Sequence, residues 1–342
     1  MLNCFYYNNT GKKFFSKYDA ATNLENTKLW YYDHIFRRCN WSIEPYEDLT
    51  YLYKLRAQEI RDSYDYLVLA YSGGIDSTTI LETFYYNNIH LDEILCVGAF
   101  SRDSKQGSDE NHNGEIYTNC FETLNDLSLS NTKISIVDYT VNFDTLTLSN
   151  QDDWYKKIGS WFSFHHWFWY DLSTRFPVDK KIGIIFGIDK PNLNKVNDKF
   201  YFCFKDSSIL QYGMTVETYN NPTNVERINY YWAPTASKII IKQCHTLMNF
   251  YKEFVENQRL ISENDFNANS VKFSNKLVYN LKHPLKFISP KSPSSILSLR
   301  DSYAKKFSDF KDLTIFKNYI QGIERLPPNM QTAICSHPYY LN

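Results

Sequence analysis

Residues 66–71 read Tyr-Leu-Val-Leu-Ala-Tyr, a short apolar run of strand-forming side chains. Ser72-Gly73-Gly74-Ile75-Asp76-Ser77 follows with no spacer, and a helix-forming segment begins at Thr78 and Thr79. A strand that turns through paired glycines straight into a helix is the opening of a βα unit, and such units build parallel sheets.

The alternation continues beyond this unit. Strands are expected at residues 66–71, 93–100, 133–139 and 181–188, and helices at 78–87, 114–127 and 154–176. In the last of these, Trp161, Phe164, Phe168, Trp169 and Leu172 recur at the spacing of one buried helix face. The expected fold class is therefore α/β. A short lead-in occupies residues 1–60, with a helix-like run at 47–61. The main domain spans 61–232, with short strands and turns over 199–232. A mostly helical C-terminal region covers 233–342, starting with a helix after Pro234.

Composition narrows the function classes. The 342 residues carry 37 Lys plus Arg against 38 Asp plus Glu, a formal charge of −1. No overall field draws such a chain to nucleic acid or to an anionic membrane. Seven cysteines are scattered without paired short spacings, which argues against a disulfide framework or a zinc knuckle. With no export signal or membrane-length apolar run read in the sequence, the expected location is the cytoplasm.

The chemistry concentrates at residues 72–77. Gly73 and Gly74 let the backbone approach an anion without Cβ obstruction, and the following helix N-terminus presents N–H groups and positive partial charge. Ser72 and Ser77 add hydroxyl donors. A carboxylate at Asp76 repels phosphate unless a divalent cation stands between them, so Asp76 argues for magnesium. The bland alternative is a glycine turn with Asp76 as a helix cap. Five fixed residues arise by chance in a chain of this length on the order of once in two thousand, and the strand and helix on either side favour function.

On these residues, 72–77 resembles the PP-loop of the ATP pyrophosphatase superfamily, which includes the synthetase domains of asparagine, GMP and NAD synthetases. The resemblance spans about residues 60–200. It implies a doubly wound, mainly parallel sheet of the adenine nucleotide alpha hydrolase type. In that family the loop holds the β and γ phosphates and leaves the α phosphate open to attack. The terminal Lys-Ser/Thr pair of a Walker loop is missing. Residues 41–45, the Tyr64-Asp65-Tyr66 lead-in and the Asp189-Lys190-Pro191 segment also resemble PP-loop proteins of large tailed phages, for which the location is the host cytoplasm.

A second segment, Phe186-Gly187-Ile188-Asp189-Lys190-Pro191, ends the fourth expected strand, on the same sheet edge as the PP-loop. The resemblance implies that Asp189 is a magnesium-binding carboxylate. Lys190 stands where the family has an acidic residue and is read as a phosphate contact. The polar stretch 101–114 reads either as a solvated surface loop or as a loop over the site, where Arg102 and Lys105 would neutralise α-phosphate charge and His112 or Glu115 would move protons. Lys238, Lys242 and His245 share one face of the helix after Pro234, either as an anion-binding face or as a solvated one. Metal ligation by His165 and His166 is not expected, since neither has a carboxylate or cysteine at ligand spacing.

The sequence thus points to an ATP- and magnesium-dependent adenylating enzyme. Asp76, Asp189 and Lys190 are its reaction-centre residues, Ser72, Gly73, Gly74, Asp76, Ser77 and Arg102 its nucleotide contacts, and Asp76 and Asp189 its metal ligands. Cleavage to AMP and pyrophosphate would activate a carboxylate, amide or carbonyl oxygen for a nitrogen or sulfur nucleophile. The competing reading is a nucleotide-binding or virion protein that keeps the fold without turnover. Modification of nucleic acid is weakened by the near-neutral charge.

Overall fold

The computed structural model describes residues 4–22, 27–98, 116–138, 175–188, 191–206, 224–256 and 333–342. It also describes the scattered positions 262, 266, 277–279, 281, 282, 285, 321, 322, 324–327 and 330. Strands β1 (Cys4–Tyr7), β2 (Lys13–Phe14) and β3 (Lys28–Tyr31) form an antiparallel sheet in the order β2-β1-β3. Helix α1 (Lys17–Thr22) sits between β2 and β3, and α2 (Asp33–Phe36) follows them. Helix α3 (Leu49–Ser63) begins at Asp48, whose carboxylate accepts the Tyr51 N–H at 2.7 Å and so fixes the start within the expected 47–61 run.

The main sheet is built from β4 (Tyr66–Ala70), β5 (Glu93–Gly98), β6 (Lys133–Asp138) and β7 (Ile182–Phe186), the four strands expected from the sequence. Two short strands, β8 (Asn194–Val196) and β9 (Lys199–Phe202), come next, and β10 (Val225–Asn229) supplies a fifth member of the main sheet. All five run parallel, in the spatial order β10-β7-β4-β5-β6. Leu67, Val68 and Leu69 of β4 and Ile182, Ile184 and Ile185 of β7 are each 0% exposed. Continuous apolar runs of this kind suit central strands covered on both faces. The molecule is therefore of the α/β class.

Helix α4 (Ile75–Tyr86) joins β4 to β5 and starts three residues earlier than expected, so Asp76 and Ser77 lie in its first turn. Gly74, in extended conformation (φ −73°, ψ 162°), ends the loop early and lets the helix begin. The helix expected over 114–127 is a π-helical turn, Ile116–Cys120, running into α5 (Phe121–Asp126). The expected loop at 101–114 and most of the helix at 154–176 lie outside the described residues.

After a 3₁₀ turn at Pro234–Ala236, α6 (Ser237–Glu256) confirms the helix predicted beyond Pro234, and Ile240, Cys244, Leu247 and Tyr251 of its apolar stripe are buried. At the chain's end, by contrast, the described residues include β11 (Tyr339–Tyr340), which pairs antiparallel with β9 in a third sheet of order β11-β9-β8. Aromatic packing joins the early segment to this sheet. The Trp41 ring stacks on Tyr339 at 4.6 Å, and Phe36 meets Phe204 at 4.6 Å. Beside them Lys17 and Asp206 form a fully buried ion pair at 2.7 Å.

Candidate functional site

Strand order fixes where a ligand can reach the main sheet. In chain order its members are β4, β5, β6, β7 and β10, so the spatial order reverses between β4 and β7. Ala70 pairs with Phe186 and Phe186 with Asn229, which levels the carboxyl ends of these three strands. In open parallel sheets, ligands sit outside the carboxyl ends at such a reversal. Residues 72–77 leave β4 at that point.

The loop is held in shape by its own atoms. Gly73 has φ +78°, a conformation that a side chain would strain. The Gly74 N–H donates to Ser72 Oγ at 3.2 Å, and the two serine hydroxyls lie 3.2 Å apart. Ser77 Oγ donates to the Gly74 carbonyl at 3.1 Å, while Ser72 remains exposed. Ser77 therefore braces the turn, whereas Ser72 is open to a ligand.

The first intrahelical bond of α4 runs from Thr78 N–H to the Gly74 carbonyl at 2.9 Å, so the N–H groups of Ile75, Asp76 and Ser77 precede it. Gly74, as N-cap, brings no capping side chain. An uncapped helix start preceded by glycines is suited to an anion.

Three other parts of the fold converge here, none of them assigned from the motif. A Cβ on Gly187, just past β7, would stand 2.9 Å from Ser77 N and 3.0 Å from the Asp76 carbonyl carbon. Asn119, buried in the π-helical turn, donates its Nδ2 to the Gly73 carbonyl at 3.3 Å. Tyr231, beyond β10, donates its hydroxyl to the Asp76 carbonyl at 2.7 Å. In the sequence, Gly187 carried a signal through its own segment; Asn119 and Tyr231 carried none.

The Asp76 carboxylate faces tyrosines. Burial pushes the Tyr279 phenol well above its ordinary value, and the Asp76 charge and the hydrogen bond between the two raise it further. Burial also raises Tyr231 and Tyr53, again with a contribution from Asp76. Tyr279 is held in place by its neighbours: Tyr53 donates to the Val278 carbonyl at 2.8 Å, and the Lys282 N–H donates to Glu82 on α4 at 2.8 Å.

No group of three His, Cys, Asp or Glu suited to a metal occurs among the described residues. One carboxylate at a helix start does not make a protein cage, but it fits magnesium shared with nucleotide phosphates, since that ion keeps most of its waters.

No protein-family model matches the chain, and no curated protein matches it in sequence. Asp189, Lys190 and Arg102 lie outside the described residues, as do His165 and His166. Of the basic helix face, Lys238 is exposed as a solvated face requires, but its cations carry partners. Lys238 pairs with Glu47 at 2.5 Å, Lys242 with Glu44 at 2.7 Å, and His245 is buried against the Trp41 carbonyl at 2.9 Å. Carboxylates at 44 and 47 neutralise a face that the helix sequence alone left cationic. No helix among the described residues is long and apolar enough to cross a membrane.

Proposed function

We propose that this chain binds Mg-ATP at residues 72–77 and splits it between the α and β phosphates, activating an acceptor oxygen as an adenylate. The observation that carries this reading is the placement of the Ser-Gly-Gly-Ile-Asp-Ser turn where the strand order reverses, with an uncapped helix start behind it. On this reading the sheet is of the doubly wound type, which the reversal of strand order between β4 and β7 supports.

The residues divide the work. The N–H groups of the first turn of α4 and the exposed Ser72 hydroxyl receive the β and γ phosphates. Asp76 would hold magnesium, which would supply neutralisation of the charge on the departing pyrophosphate. Asp189 is proposed as a second carboxylate for that ion, and Lys190 and Arg102 as phosphate contacts, on the strength of the sequence pattern. The acceptor is a carboxylate, amide or carbonyl oxygen, and the nucleophile that displaces AMP carries nitrogen or sulfur.

The test is calorimetric titration of the full chain with ATP, with and without magnesium. The expected result is one site that requires the ion and that Gly74→Val abolishes, because a β-branched side chain intrudes on the phosphate approach. Normal ATP binding by a folded Gly74→Val protein would place the nucleotide elsewhere.

A further inference from the structure

Two cysteines that play no part in nucleotide binding are brought together by the third sheet. Lys205 and Cys335 are directly opposed in an antiparallel bridge, which puts their side chains on one face. Cys203 lies two residues before Lys205, and Cys203 and Cys335 both line an open groove of about 590 Å³ with Val196, Lys199 and Tyr201.

The backbone on either side of Cys335 is pinned. Ile334 N–H donates to the Asp206 carboxylate at 3.0 Å, and Ser336 N–H to the Phe204 carbonyl at 2.8 Å. The Cys335 carbonyl accepts from Leu29 N–H at 2.9 Å. Cys335 is half-buried while Cys203 is 8% exposed, so an attacker from solvent meets Cys335 first.

The thiols are electrostatically unequal. Closeness to the Cys203 thiol brings Cys335 below its ordinary value, against the effect of burial, and the charge of the directly opposed Lys205 assists. The same closeness, together with burial, pushes Cys203 up. Cys335, the more exposed thiol and the one directly opposed to Lys205, is thus placed to attack, and the more deeply buried Cys203 to resolve.

We propose that Cys335 is a hydroperoxide-reactive thiol and Cys203 its resolving partner, a modification site separate from the nucleotide loop. The Cys335 thiolate attacks one peroxide oxygen; the S–O bond forms, the O–O bond breaks, and the departing hydroxide takes a proton to become water. The Cys203 sulfur then attacks the sulfenic sulfur. The S–S bond forms, the S–O bond breaks, and a second water leaves with the Cys203 proton. The two sulfurs together lose two electrons and the peroxide gains them. The product staples the segment that leads into β11 to the residue after β9.

The experiment uses the reduced full chain and reads each cysteine by peptide mass mapping. At pH 7, iodoacetamide is expected to label Cys335 at least tenfold faster than Cys39, the other half-buried cysteine, whose Sγ donates to the Ile35 carbonyl. One equivalent of hydrogen peroxide is expected to give a Cys203–Cys335 disulfide in the wild type. Cys203→Ser is expected to stop at a Cys335 sulfenic acid that dimedone traps. Labelling of Cys335 no faster than Cys39 in the wild type would overturn the proposal whatever the variant does. So would a peroxide product that joins Cys96 to Cys120, the buried pair whose sulfurs lie 3.2 Å apart.

Discussion

At Gly187 the atoms that would meet a side chain are backbone: Ser77 N at 2.9 Å and the Asp76 carbonyl carbon at 3.0 Å. At Gly183 a Cβ would instead press on the side chains of Ile228 and Tyr64, both at 2.8 Å. Backbone at a helix start yields less readily, so Gly187→Ala is expected to lose about 1–3 kcal/mol, the usual range for overpacking. The displaced atoms belong to the proposed phosphate cradle, so ATP affinity should fall as well. Urea denaturation and ATP titration of the same variant check both, and an unchanged midpoint would show that the two segments separate freely. Asp76→Asn tests the charge itself. Its amide oxygen can still accept from Tyr279, so far-UV circular dichroism should be unchanged, while magnesium-dependent ATP affinity falls about tenfold or more, ~1.4 kcal/mol per tenfold step. Equal affinity in both proteins, with equal magnesium dependence, would remove Asp76 from the metal site.

Among the elements, β4 and β7 were legible because strands covered on both faces must be apolar without interruption, and their sequences are. The start of α4 was less so: Asp76 and Ser77 read as loop until Gly74 is seen to act as N-cap. A π-helical turn leaves no periodic signature, and the one at Ile116–Cys120 places Asn119 against Gly73, a contact that only tertiary structure defines. The junction of α3 with the main sheet yields a pH prediction. Arg61 Nη1 lies 2.5 Å from the Asp92 carboxylate, which also accepts the Leu67 N–H at 2.8 Å. Partial burial pushes the Asp92 carboxyl up, but these two hydrogen bonds outweigh it and leave it below its ordinary value. A depressed folded value means that the contribution to stability is present above the unfolded value of about 3.9 and is lost as pH falls through the folded one. Asp92→Asn should therefore be less stable than wild type at pH 7, by a margin that narrows in the acid range below 4. Urea midpoints at pH 7 and pH 3 measure it; the same margin at both would mean that charge is not what holds the junction.

At the scale of the whole chain, short strands are expected over 199–232, where β9 lies, but the pairing of the two small sheets is not, because strands as short as Lys13–Phe14 and Tyr339–Tyr340 have too few residues to show a period. Pairings such as Tyr339 with Phe202 join distant parts of the chain. The candidate site divides the same way. Residues 72–77 are contiguous and could be read directly, whereas Asn119, Gly187, Tyr231 and Tyr279 meet them only in the fold. The proposed reaction turns on which bond of ATP breaks. The loop lacks the lysine that a Walker loop places on the β and γ phosphates, and on the proposed reading its Ser72 hydroxyl and helix N–H groups hold a pyrophosphate unit as a leaving group. ATP labelled at both the α and γ positions, supplied with magnesium and a panel of amino acids and other carboxylates, should therefore put the γ label in pyrophosphate and the α label in AMP. Asp76→Asn should lower both products together, because one ion serves one scission. ADP and orthophosphate, formed before any pyrophosphatase is added, would instead assign the protein to γ-phosphoryl transfer. ATP bound but recovered intact with every acceptor would favour a nucleotide-binding protein without turnover.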